Sequence, residues 1–285
     1  MKNNKRQLKK DNTVAVVGVI TAILMLGLVV SIFSIIQTVY VPQWMLELES
    51  DHMDEVAGQF AELKHTLDIQ MYSPTYQKIP VTTPLTLGSQ DIPYFLSQKS
   101  SGTMRLYDNN AQIDIIGDTM ESCEIGTIEY ASRNSYFIDQ KFIYETGALI
   151  MYQSQGSLLL SKPFISISNQ DSINLSMTVV DIASVGGKTS ETGSNTCTLL
   201  TNYSSSQEYT IENTTEITIK TEYLRPWYDY INETFSDHQF TEGQDYTITQ
   251  TDDEIIIDLQ SMPGPVQVML TKITMNVQIA PGWVS

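Results

Sequence analysis

Cysteine, histidine and positive charge are scarce in this 285-residue chain, which holds 2 Cys, 3 His and 16 Lys plus Arg against 33 Asp plus Glu. Two cysteines exclude a disulfide scaffold, and a chain this long can bury a core that needs neither crosslinks nor metal. They admit either one bridge between Cys123 and Cys197, closing a loop of about 74 residues and worth a few kcal/mol, or two buried free thiols. His52, His65 and His238 form neither HExxH nor any close pair, so solvated histidines are expected and no metal site is read. The acidic balance repels phosphate backbones and anionic headgroups, which excludes nucleic-acid binding beyond the N-terminal tail; its simplest meaning is solubility. No GxSxG, P-loop, GxGxxG or SxxK motif stands in a usable context, so no catalytic residue and no cofactor are predicted. Charged residues amount to only 17%. Ser, Thr, Asn, Gln and Tyr fill most other polar positions, a mixture that favours strands and turns over helices.

The few cations are unevenly placed. Lys2, Lys5, Arg6, Lys9 and Lys10 face Asp11 alone within residues 1–13, and the rest of the chain carries 11 basic and 32 acidic side chains. Directly after this tail, residues 14–36 read VAVVGVITAILMLGLVVSIFSII without a charge, and the next charged side chain is Glu47. As a helix this run spans roughly 35 Å, enough to cross a hydrocarbon layer about 30 Å thick. The run is too long for the h-region of a cleaved signal peptide. Gly18, Ala22 and Gly27 are small but lack GxxxG spacing, a weak signal for helix pairing. The cationic flank predicts a cytoplasmic N-terminus and an exterior C-terminal part, with Tyr40 and Trp44 at the outer headgroup level.

Pro42 is expected to reset the helix outside the membrane, and residues 42–72 then read as an amphipathic stalk helix ending at Ser73-Pro74. Leu46, Met53, Val56, Phe60, Leu63 and Leu67 recur at spacings of 7, 3, 4, 3 and 4, one helical stripe opposite an acidic face. The stripe either packs on the domain that follows or forms a seam for self-association between copies. After Pro74 the apolar period changes to two. Candidate strands are 104–107, 112–116, 124–131, 136–145, 148–153, 157–160, 164–168, 173–182, 196–201, 208–221, 245–249, 254–259 and 266–279. Turn signals at Asp108-Asn109-Asn110, Asn169-Gln170-Asp171, Gly186-Gly187 and Asp252-Asp253 separate them at the spacing of an antiparallel sandwich or roll. Leu224 to Phe235 reads as one short helix starting near Pro226. Gly186 to Ser194 is a loop too short to divide residues 75–285 into two domains.

Four Asn-x-Ser/Thr triplets, at Asn174, Asn202, Asn213 and Asn232, are candidates for N-glycosylation, all on the side assigned to the exterior. A chain rich in Asn, Ser and Thr also produces such triplets by chance. Asp252, Asp253 and Glu254 form a compact acidic turn that lacks the alternating oxygens and glycine of a calcium loop, so a hairpin tip is expected.

The tail and anchor KKDNTVAVVGVITAILMLGLVV and the stalk VYVPQWMLELESDHMDEVAGQF are joined by FIYETGALIMYQSQGSLLLSKPFISISN, INLSMTVVDIASVGG, TIKTEYLRPWYDYI and DYTITQTDDEIIIDL. Together these segments resemble archaeal membrane-anchored surface proteins whose N-termini look like those of type IV pilins. The resemblance implies a non-enzymatic surface or pilus-like protein, a long N-terminal helix carrying a β-rich head. It further implies removal of the basic tail by a dedicated peptidase, near Asp11, Asn12 or Thr13, and packing of the exposed helix into a filament core. The chain lacks the acidic residue that bacterial pilins carry a few positions into the apolar run, and its head is large for a major pilin. A minor pilin-like subunit or a permanently anchored protein fits better. The expected fold is thus a transmembrane helix and amphipathic stalk followed by a mainly-β extracellular domain with one short helix. The lipid bilayer is its partner through residues 14–36, and the alternative role is a membrane-tethered ligand-binding or sensing module.

Overall fold

The computed structural model describes residues 2–73, 79–89, 100–169 and 172–280, with residues 2–15 described by backbone alone. A single helix occupies the first quarter of the chain: α1 (Lys2–Ile35) passes through one π-helical turn (Ile36–Tyr40) directly into α2 (Val41–Tyr72). Pro42 explains the turn. It has no N–H to donate and its ring collides with the carbonyl four residues earlier, so the helix widens locally, with Val41 N–H donating to Ile36 O. Pro42 therefore does not reset the helix as expected. The helix stops after Tyr72 with Ser73 in the extended region, the conformation that a following proline imposes. Pro74 itself, the side chains of the basic tail, and Gln170-Asp171 of one predicted turn lie outside the described residues.

Beyond the helix the chain is mostly strand, with β1 (Val81–Thr86), β2 (Ser101–Ile116), β3 (Met120–Arg133), β4 (Gln140–Glu145), β5 (Ala148–Gln153), β6 (Gly156–Ser161) and β7 (Phe164–Asn169). There follow β8 (Ile173–Ser184), β9 (Ser190–Gly193), β10 (Thr196–Ile211), β11 (Glu216–Lys220), α3 (Leu224–Asp237), β12 (Thr247–Gln250), β13 (Glu254–Asp258) and β14 (Val266–Ala280). One sheet has the order β1-β10-β14-β8-β7; the other runs β12-β13-β11-β2-β3-β4-β5-β6, with β9 added beside β2. Alternation sets the faces: EITIK in β11 and EIIID in β13 place Ile217, Ile219, Ile255 and Ile257 inward on paired strands.

Several expectations are corrected here. Asp108-Asn109-Asn110 is a bulge inside one long β2 and not a turn between two strands; Asn109 takes φ 62, and Asp108 accepts the N–H and hydroxyl of Ser184 instead. Residues 135–139 are loop, so β4 begins only at Gln140. The boundary placed between residues 201 and 208 does not exist, because β10 runs through it with a bulge at Tyr203/Ser205 and turns only at Asn213, φ 48. β1, and β9 within the expected Gly186 to Ser194 loop, were not predicted as strands. The pairing is antiparallel except between β8 and β14, which run parallel.

The long strands serve two cores rather than one. In β3 the buried apolar side chains are Cys123 and Ile125, then Ile128 and Tyr130; in β8 they are Ile173, Leu175, Met177 and Val179, then Val180 and Ile182. In β14 they are Val266, Val268 and Leu270, then Ile273, Met275, Val277 and Ile279. Each strand thus changes the parity of its buried residues midway, which moves burial from one face to the other. The first set joins α3 in one cluster, around Trp227, Tyr230, Ile231 and Phe235. The second set joins α2 in another, around Val56, Phe60, Leu63 and Leu67. The helix stripe therefore packs on the sheets, with Leu46 the exception, since it faces solvent. Burying Met53, Val56, Phe60, Leu63, Leu67 and Met71 contributes on the order of 10 kcal/mol, so the helix and the strand-rich head come apart only by unfolding.

Candidate functional site

From Val16 to Tyr40 the helix touches almost nothing, and its Val, Ile, Leu, Met and Phe side chains stand open to the surroundings. Three of its hydroxyls bond back to the helix: Thr21 donates to Val17 O at 2.9 Å, Ser31 to Gly27 O at 2.8 Å and Thr38 to Ser34 O at 2.7 Å. Such back-bonding is what a polar group needs in hydrocarbon. Among the described residues this is one helix long and apolar enough to cross a membrane. The rings of Tyr40 and Trp44 lie 5.9 Å apart, tilted at 36°, where the exposed apolar stretch meets the head.

Above that level a series of buried polar side chains fastens α2 to the strands. Glu49 is fully buried, and its carboxylate accepts three successive backbone N–H groups, from Ser135 at 3.0 Å and from Tyr136 and Phe137 at 2.7 Å each. His52 contacts the Tyr130 hydroxyl at 3.3 Å, and Tyr130 in turn donates to Leu87 O; burial lowers the proton affinity of His52. Gln59 donates to Thr86 Oγ1 at 2.6 Å and accepts the Thr86 N–H at 2.9 Å. Lys64 pairs with Asp68 at 2.9 Å and lies 4.5 Å from the centre of the Phe164 ring. Gln70 donates to Ile79 O and Thr201 O and accepts the Thr201 hydroxyl. Glu49, His52, Lys64 and Gln70 all fall within the register of the apolar stripe, and that is the signal the sequence offered for them.

A second polar group lies beneath α3. Glu145 is fully buried, its Oε1 accepting Thr221 Oγ1 at 2.8 Å and Trp227 Nε1 at 2.7 Å, while Oε2 has no partner. Burial raises its pKa to about 7 despite those two bonds. The adjoining hairpin turn is also buried and carries Thr146 at φ 52, a conformation that a β-branched residue adopts only under constraint. Nearby, Glu129 accepts Tyr223 Oη at 3.1 Å and meets Lys141 at 3.2 Å and Arg105 at 3.6 Å. Burial, followed by the charge of Glu129, pushes the Tyr223 phenol far up. An open polar cleft of 330 Å³ runs between Asn109, Glu124, Lys220, Glu222 and the Asp252-Asp253 turn.

The residues singled out from the sequence do not converge. Cys123 and Cys197 are both free and buried, one in each core, so the single bridge is not formed; burial raises both thiols, Cys197 to about 12. Of the glycosylation candidates, Asn213 is exposed at the β10–β11 turn and donates to Asp118 at 2.9 Å. Asn232 accepts Tyr246 Oη at 2.6 Å, Asn174 bonds Ser172, and Asn202 Oδ1 is buried without a partner. His65 is exposed, whereas His52 is buried, contrary to the expected solvated state; His238 Nδ1 lies 2.9 Å from Thr234 O. Asp252 and Asp253 form the tip of the β12–β13 hairpin, with Glu254 opening β13. Among the described residues no group of three or more His, Cys, Asp or Glu is arranged to hold a metal ion.

No curated protein and no solved structure matches the chain. A family model does match, over residues 85–278, from β1 into β14. The match covers most of the strand-rich head, and the chain belongs to DUF7289, a family of unknown function.

Proposed function

We propose that this is a single-pass cell-surface protein, non-enzymatic and pilin-like or adhesin-like, whose helix 14–36 crosses the membrane with the basic tail in the cytoplasm and the head outside. One observation carries the reading: a continuous helix leaves its apolar half uncovered and embeds its other half in the head's core. An uncovered run of more than twenty apolar positions is not tolerated in water, so lipid or a filament core must cover it. The orientation is supported by the cations of residues 2–10, set against the lack of any Lys or Arg between residues 11 and 63. The open face of α2 carries Glu47, Asp51, Asp54, Glu55 and Glu62, so contacts with other subunits through the stalk would have to offset a repulsion between like charges that salt screens.

Three measurements test this. The native protein should resist carbonate extraction from membranes, and protease added to intact cells should destroy the head. A pilin-like subunit should also show an intact mass lacking the first residues up to about Asp11, as such processing requires. A retained Met1 would leave a permanent anchor and remove the filament role, whereas recovery in the cytosol would overturn the whole proposal. A tethered ligand-binding module is the second reading, favoured by the polar cleft beside the Asp252-Asp253 turn.

A further inference from the structure

The head comes down to the level at which the helix leaves lipid. Val41 and Met45 are 1% and 0% exposed, while Tyr40, Trp44 and Leu46, around the other sides of the same turns, are 48%, 42% and 48% exposed. No charge interrupts the chain between Asp11 and Glu47. Those three apolar side chains therefore mark the headgroup layer, which is about 5–8 Å deep on each side of the hydrocarbon. Glu49 lies only about 4–5 Å further along the helix axis than Leu46, and it holds the β3–β4 loop by three backbone N–H groups.

That loop is tied together by its own hydrogen bonds and carries Tyr136, Phe137 and Ile138 in succession. Asp139 accepts the Asn134 N–H at 2.7 Å, Asn134 Nδ2 donates to Ile138 O at 3.0 Å, and Ser132 Oγ accepts the Gln140 N–H at 2.8 Å. With its amides turned inward onto Glu49, the tip leaves Tyr136 38% exposed, beside the exposed Arg133. A tyrosine with an apolar ring and a polar tip belongs at the boundary of lipid and water.

We infer that the loop 134–139 rests on the bilayer that the helix crosses, with Tyr136 inserted among the lipid headgroups, so that the head is docked on the membrane and the loop sets the direction of helix tilt. A tilt toward the loop, of the roughly 20° ordinary for a single span, would lower the ring toward the headgroups. This rests on the anchor reading above, and the test separates the two. Because Cys123 and Cys197 are buried, an environment-sensitive thiol fluorophore can be placed on Tyr136→Cys, Trp44→Cys or Asn213→Cys, the last at the far end of β10. The full chain is set in phosphatidylcholine nanodiscs that contain a headgroup nitroxide lipid. The label at 136 should be quenched about threefold more than the label at 213, approaching the label at 44, as expected for a side chain at the interface. Glu49→Ala should abolish that excess. Strong quenching at 44 with position 136 behaving like 213 would overturn the docking and leave the anchor intact. Absence of quenching at 44 would overturn the anchor itself.

Discussion

Glu145→Gln isolates a pH dependence that the structure builds into the core beneath α3. In the folded protein the carboxyl is buried and titrates at about 7, against an ordinary value of 4.5. Each pKa unit corresponds to about 1.4 kcal/mol, so the group favours the folded state by about 3 kcal/mol at low pH relative to high pH. Because the folded state holds the proton more tightly, this contribution is complete below pH 4.5 and is lost as the pH rises through 7. Glutamine keeps an acceptor for Thr221 and Trp227 and cannot ionise. The variant and the parent should therefore melt together near pH 4.5, and the variant should melt higher at pH 8. For a head of this size, about 3 kcal/mol corresponds to roughly 6–12 °C in Tm. Burial lowers the proton affinity of His52, which weakens the fold as pH falls, and raises that of Asp68, which acts in the same sense as Glu145. Both are present in parent and variant and cancel in the difference. Thermal melts followed by circular dichroism, on full-length protein in a neutral detergent between pH 4.5 and 8, measure it. A difference that stays flat across this range, or a variant that is the less stable at pH 8, would refute the reasoning.

Glu49→Ala removes the acceptor of three amide bonds and should cost about 3 kcal/mol, with amide exchange of residues 135–137 accelerating while β3 and β4 stay protected. Phe60→Ala opens a cavity between Tyr130 and Phe142, whose ring centres lie 6.5 and 5.9 Å from that of Phe60, and should destabilise by about 3–5 kcal/mol in denaturant titration. A thiol reagent should count no cysteine in the native protein and both after denaturation, and non-reducing gels should show no intrachain bridge. Gly126→Ala places a Cβ 1.9 Å from Ile182 O, so β3 and β8 must separate; a yield and Tm equal to the parent's would contradict the described packing.

The unbroken run at 14–36, the change from helical to alternating periodicity after Pro74, and α3 around Pro226 were legible from residue order alone. These are local properties: each depends on hydropathy and on spacings within one element. The bulge at Asp108-Asn109-Asn110 was misread because the same residues that favour a turn also serve a bulge, and only pairing of residues 101–107 and 111–116 with a single partner strand decides between them. Likewise Pro42 reads as a break. The packing of α2 on the sheets overrides it, and the cost is a single widened turn.

The helical stripe itself was visible, and register marked Glu49, His52, Lys64 and Gln70 as facing inward, but nothing in it told what they bind. Glu49 acts as it does because residues 135–137, far away in sequence, present their amides to it. The two cores were present as a change of parity in ITMNVQI against VQVML, yet parity says only that burial changes face, not what covers each face. By itself the sequence determined where the chain is apolar, where it turns from helix to strand and which end is cationic, because those follow from transfer energies and backbone preferences of neighbouring residues. Tertiary structure alone decided that the helix is one with its head, that Cys123 and Cys197 never meet, and that Glu145 keeps a proton near neutrality, because each depends on surfaces brought together from distant parts of the chain.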